Sequence, residues 1–176
     1  MQALGIGLIF PEDVTEKIDG LRKRFGTERV RAVPPHITLK QPFSSKAETG
    51  VIVEILQSVA ATTRPFTVVL KDFDYFEGEQ SMAFVAVQNP EKVRGLHTKI
   101  VQVLYGLGEG GEEHQLDRFV PHITITDLML REQFSSLKSD LAACGFHMEA
   151  ALDSFVLFAN DGTGWKHVHT FWLEGM

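Results

Sequence analysis

A chain of 176 residues with 44% hydrophobic content is long enough to bury a real core and is the size of one domain or two small lobes, which excludes a mainly disordered or fibrous chain. Its formal charge of −6 excludes a broad non-specific nucleic-acid surface, because displacing counterions from phosphates takes clustered Lys and Arg. The single cysteine, Cys144, can form no internal disulfide, so the expected compartment is the cytoplasm.

The first apolar run, Ala3 to Phe10, is too short to span a bilayer and lacks a basic leader, so it reads as a strand and no membrane partner is expected. Pro11, Glu12 and Asp13 open a helix over 12–25, in which Val14, Ile18, Leu21 and Phe25 recur at steps of three and four and Gly26 is placed to end it. Pro34 and Pro35 disfavour helix and deliver the chain into a strand over 36–40. A helix over about 46–62 carries Val51, Ile52, Ile55, Leu56 and Val59 on one side, and Pro65 opens a strand over about 66–73 that the turn Glu77-Gly78-Glu79 closes.

The order then repeats. A strand over 82–87 leads through Asn89-Pro90, read as cap and first helical position, into a helix over 91–105. After a loop of residues 106–118 come a strand over 120–126, a helix over about 130–144 ended by Gly145, and strands near 146–158 and 166–173. The chain thus reads as one domain of two pseudo-repeat halves, about 1–78 and 79–176, each running strand, helix, strand, helix, strand. The Gly- and Glu-rich stretch from Gly106 to Glu113 is the one candidate mobile loop, placed to border or cover a cleft.

The same tetrapeptide, Pro-His-Ile-Thr, stands at equivalent places in the two halves, at Pro35 to Thr38 and Pro121 to Thr124. One His-x-Thr on a strand is ordinary surface; packing has no need of it twice. Alternation along a strand turns His36 and Thr38 to one face and Ile37 and Leu39 to the other, and likewise His122, Thr124 and Thr126 against Ile123 and Ile125. Two such strands side by side place two imidazoles and two hydroxyls around one pocket. That set suits phosphoryl chemistry without a metal or other cofactor: a neutral His takes a proton from the attacking oxygen, an imidazolium protonates the leaving oxygen, and hydroxyls donate to the non-bridging phosphate oxygens.

On these residues the sequence resembles the two-histidine (2H) phosphoesterase superfamily, which includes proteins similar to 2′-5′ RNA ligases and cyclic phosphodiesterases. His36 to Leu39 and His122 to Ile125 fit its paired His-x-Thr/Ser-hydrophobic signature, and the flanks Val33 to Phe43 and Phe119 to Ile125 agree. The resemblance implies a bilobal, pseudo-symmetric α+β fold with antiparallel-rich sheets, helices packed outside and a central cleft lined by the motif strands. It also implies His36 and His122 as acid and base on a nucleotide or RNA-end phosphodiester. Ligase-like members carry an arginine shortly after the second motif, where this chain has Thr126 and Asp127; Asp127 is a candidate cap for the following helix.

Further candidates surround the motifs. Lys40, two residues past Thr38, is a candidate phosphate ligand, and Phe43 and Trp165 are candidate platforms for a stacked base, with core packing the alternative for each. Arg31 and Arg118 precede the two motifs and add positive potential. His167 and His169 alternate on the last strand and form the competing metal reading, a weak one without a carboxylate or cysteine partner; no metal site is assigned. His97, His114 and His147 read as surface residues. The expected activity is hydrolysis of a 2′,3′-cyclic or 2′-5′-linked phosphodiester by a monomer, with 2′-5′ RNA ligation or non-catalytic binding of a nucleotide or RNA end as alternatives.

Overall fold

The computed structural model describes residues 2–107, 116 and 118–175. The chain builds β1 (Ala3–Ile9), α1 (Glu12–Phe25), α2 (Glu28–Arg31), β2 (His36–Phe43), α3 (Thr49–Ala61), β3 (Phe66–Phe76), β4 (Gln80–Val87) and α4 (Glu91–Leu104). It continues with β5 (His122–Thr124), β6 (Met129–Leu130), α5 (Arg131–Cys144), β7 (His147–Leu152), β8 (Ser154–Asn160) and β9 (Trp165–Trp172). Residues 108–115, and with them His114 and most of the expected cleft-bordering loop, lie outside the described residues. Among the described residues no helix is long and apolar enough to cross a membrane.

The strands form two antiparallel sheets, in the orders β2-β1-β8-β9 and β5-β4-β3-β7, with β6 added to β4. This is the α+β architecture with two sheets that the sequence implies. Each motif strand is the edge of its sheet, beside the strand that opens its half of the chain. The third strand of the first half, β3, joins the second sheet, whereas β8 and β9 join the first. The two sheets therefore do not divide the chain at residue 78: each contains strands from both halves. α3 packs on β9 and α4 on β2, while α5 packs on β3 and β4.

Apolar alternation dictates the faces. Ile37, Leu39, Ile123 and Ile125 are fully buried in one cluster that runs through both sheets, while His36, Thr38, His122 and Thr124 are half-buried on the opposite face. A smaller cluster of Ala83, Phe134, Leu137 and Leu141 seats α5.

Three irregularities break strict alternation. In β1–β2, Gly7 faces Thr38 but Ile6 faces Lys40, a bulge at which the register shifts by one residue. After β5, Ile125 and Thr126 both donate their amides to Ala83 O, which ends the strand expected to run to 126 and turns Thr126 inward. There its Oγ1 accepts from Ala83 N at 3.0 Å, so it is not a third hydroxyl beside His122 and Thr124. In β8–β9, Leu157 pairs with His169 and Phe158 with His167, leaving Val168 as the bulged residue. His167 and His169 therefore point to opposite faces, and the metal reading that needed them on one face fails. His167 shares a hydrogen bond with Thr170 Oγ1 at 2.8 Å, and His169 packs on Phe171.

Two caps also differ from expectation. Asn89 does not cap α4: its Oδ1 accepts from Val69 N at 2.7 Å and its Nδ2 donates to Thr67 O at 3.2 Å, fastening β3 instead. Gly26 follows α1 as expected but in extended backbone, and what requires glycine there is proximity, since a Cβ would stand 2.6 Å from Ile125 O.

Thr126→Val is expected to lower the unfolding free energy by roughly 1–3 kcal/mol, because the buried Ala83 amide loses its acceptor. Thr124→Val on the cleft face should stay within about 0.5 kcal/mol of wild type. Urea denaturation of the two variants decides; equal losses would refute the inward role of Thr126.

Candidate active site

The two motifs meet in one cleft. A cavity of about 560 Å³ is lined by Thr38 of the first motif and His122 of the second, together with His97, Arg118 and Phe119. A second cavity, of about 220 Å³, lies against His36 and is walled by Phe158 and Trp165. Thr38 and Lys40 line both, so they mark the divide between a polar and an aromatic compartment.

The histidines are held identically. His36 Nδ1 donates to Pro34 O at 2.8 Å and His122 Nδ1 donates to Val120 O at 2.8 Å, in each case the carbonyl two residues upstream. The extended backbone entering each strand, set by Pro35 or Pro121 against the residue before it, presents that carbonyl to the ring. With Nδ1 carrying the proton, Nε2 is left as the nitrogen free to exchange one. Burial holds both imidazoles below the ordinary histidine range, against the raising effect of the carbonyl bonds; for His36 the charges of Arg22 and His122 lower it further. That the charge of His122 reaches His36 puts the two rings in one electrostatic environment.

Their surroundings differ. His122 is flanked by Phe76 and Phe84, at ring-centroid distances of 5.0 and 5.1 Å, whereas His36 has Phe158 at 6.3 Å. The floor beside His36 is made by the alternate glycines of β1: a Cβ on Gly7 would come within 3.1 Å of His36 Cδ2, and one on Gly5 within 3.2 Å of Trp165 Cζ3. The Gly-x-Gly pattern in an otherwise apolar strand is the sequence signal for this bare face.

The other candidates divide. Trp165 lines the aromatic cavity. Lys40 is only 5% exposed, with its ammonium 4.7 Å from the centre of the Phe43 ring, and burial brings it down to about 8. Phe43 lies in the core beneath that ammonium and lines neither cavity, so packing, not stacking on a ligand, accounts for it. Arg118 borders the polar cavity, while Arg31 donates to Thr27 O at 3.3 Å. Asp127 does not cap α5; its Oδ2 accepts from Thr27 N at 3.2 Å and from Thr27 Oγ1.

His97 is not a surface residue as its lack of context suggested. It is 5% exposed, donates Nδ1–H to Leu39 O at 2.6 Å and stacks on Phe119 at 3.8 Å, under the polar cavity. Its position beside Leu96 and one turn from Ile100 on the buried side of α4 is the available signal. Among the described residues no group of three or more His, Cys, Asp or Glu side chains is gathered as a metal site would need.

The model of the 2′-5′ RNA ligase superfamily matches residues 10–164. A protein of Oceanobacillus iheyensis named “Putative phosphoesterase” is 30% identical over 171 residues, covering 96% of each chain, and one of Geobacillus kaustophilus with the same description is 28% identical over 173 residues, covering 97% of this chain and 96% of its own. Among solved structures, E. coli LigT complexed with 3′-AMP superposes with a TM-score of 0.64 at 19% identity, and TT0787 of Thermus thermophilus with 0.62 at 18%, each covering 98% of both chains. The fold is the one those two proteins share.

Lys40 is expected to lose its charge near pH 8, well before an exposed lysine at about 10.4. The Cε resonance of Lys40, followed by NMR against pH, tests this. A midpoint above 10 would show that the ammonium is solvated.

Proposed function

The chain belongs to the 2′-5′ RNA ligase superfamily, and from that premise we propose that it is a metal-independent phosphodiesterase hydrolysing a 2′,3′-cyclic or 2′-5′-linked phosphodiester of a nucleotide or RNA end. The observation that carries this reading is the matched pair of imidazoles, each with Nδ1–H bound to a carbonyl and each bordering one of two cavities that share Thr38 and Lys40. The proposed chemistry needs one ring as base and one as acid. A water proton passes to Nε2 of the neutral histidine as the water oxygen bonds to phosphorus. The bond from phosphorus to the leaving oxygen breaks as the imidazolium Nε2 supplies its proton. Both rings return to their starting states by exchange with solvent, so the net change is addition of one water across the P–O bond.

Thr38, which lines both cavities, donates to the non-bridging oxygens, with Lys40 adding charge at the divide between them; Thr124, which follows His122 by two residues on β5 but lines neither cavity, is the proposed second donor. The aromatic compartment beside His36 takes the base against Trp165 and Phe158. Its apolar walls and absence of side chains at Gly5 and Gly7 favour a flat ring over a charged group. Relatives described as phosphoesterases over nearly the whole chain support the reaction class.

Hydrolysis of 2′,3′-cyclic nucleotides is expected to persist in excess EDTA and to fall by about 10²–10⁴-fold in either His36→Ala or His122→Ala. Nucleotide binding without turnover in the wild type would make the protein a binding module, and chelator-sensitive activity would end the metal-free mechanism.

The pH profile follows from the lowered histidines. The base fails as pH falls through its pKa and the acid fails as pH rises through its own, so kcat/KM is bell-shaped. Because burial lowers both free-enzyme values, both limbs should lie on the acid side of about 6.5. An optimum for kcat/KM above pH 8 would contradict this.

A further inference from the structure

α1 carries one residue that the helix pattern does not explain. Val14 and Ile18 are buried, and the next position of that row, four residues on, is Arg22, which is 1% exposed. A guanidinium is driven into an interior only where its donors are met. Here Nε donates to Thr124 O at 2.9 Å and Nη1 to Val33 O at 3.0 Å, with Asp19 Oδ1 at 4.0 Å. Thr124 ends the second motif; Val33 stands immediately before the Pro34 carbonyl that holds His36. One rigid fork thus bonds the end of the second motif strand and the bend that leads into the first.

We propose that Arg22 is the positioning residue of the two-histidine site, fixing the spacing of the motif strands from beneath the cleft. This rests on the proposed phosphodiesterase reading. The planar guanidinium matters because two donors at a fixed angle define the separation of two carbonyls, which a flexible ammonium does not. The neighbouring contacts reinforce the same seam: Gly26 abuts Ile125 O, and Thr27 is bonded to Asp127.

Arg22 also bears on the protonation of His36. The charged and titratable groups around His36 are Arg22 and its partner Asp19 from α1, His122 from β5, Lys40 on its own strand, and His167 beyond Phe158; β1 brings only Gly7. The cation of Arg22, which donates to Val33 O upstream of His36, favours the neutral imidazole there.

The test measures kcat and KM on 2′,3′-cyclic AMP, and histidine Cε1 titrations by NMR, in wild type, Arg22→Met and Arg22→Lys. Arg22→Met should lower kcat by about 10- to 100-fold with little change in KM, as expected for displaced catalytic groups. It should also move the His36 midpoint upward while His122 moves less. Arg22→Lys should keep the His36 midpoint near wild type, because the charge remains, yet still lose kcat. Wild-type kcat in either variant, or a His36 midpoint unmoved in Arg22→Met, overturns the proposal. Should Arg22→Met not fold, Arg22→Lys alone decides by its kcat. Absence of turnover in the wild type on any phosphodiester would sink the phosphodiesterase reading, and the NMR midpoints would still decide the role of Arg22.

Discussion

Two backbone carbonyls, Val33 O just before the first motif and Thr124 O at the end of the second, are satisfied by one buried side chain, Arg22. The motif strands are sheet edges with no ladder between them, so nothing in either sheet sets their separation. Secondary structure delivers each His-Ile-Thr in the right orientation; a side chain reaching from α1 delivers them to each other. Loss of a partner from such an arrangement leaves buried acceptors without donors, at a cost of about 1–3 kcal/mol each, which makes the seam rigid. The fit of Gly26 against Ile125 O extends that rigidity along the whole junction.

The site is symmetric in its backbone and asymmetric in its surroundings. Each imidazole is fixed to the carbonyl two residues before it, at the same 2.8 Å. Around that common core, β1 contributes bare glycines and β8 and β9 contribute Phe158 and Trp165 on one side, while β3 and β4 press Phe76 and Phe84 against His122 on the other. Duplicated motifs supply equivalent groups, and unequal neighbours give them unequal surroundings. Lys40, on the divide, is brought by a bulge to the edge of the core, where burial lowers it to about 8.

Much of this was legible in the sequence. The fourteen-residue helix α1 was bounded by its apolar spacing and by Pro11, α4 by the proline at its start, Pro90, and α5 by the glycine after it, Gly145. The buried Ile37 and Ile123 opposite half-buried histidines follow from strand alternation alone. What failed were the residues whose facing depends on a partner strand. Thr126 and the pair His167 and His169 were assigned by a period of two, and each lies beside an irregularity that shifts the phase. His97 and Arg22 were missed for the opposite reason, since their partners lie 58 and 102 residues away.

The sequence by itself determined the elements, the repeated Pro-His-Ile-Thr and the family those residues indicate, because helix period, strand alternation and the restriction before proline act within a few residues. Only the tertiary structure decided that β3 and β8 exchange sheets, that the last-strand histidines point apart, and that an arginine under the cleft joins the two motifs. Those outcomes depend on which strands pair and in what register. They are fixed by packing between segments far apart in the chain, where no local rule reaches.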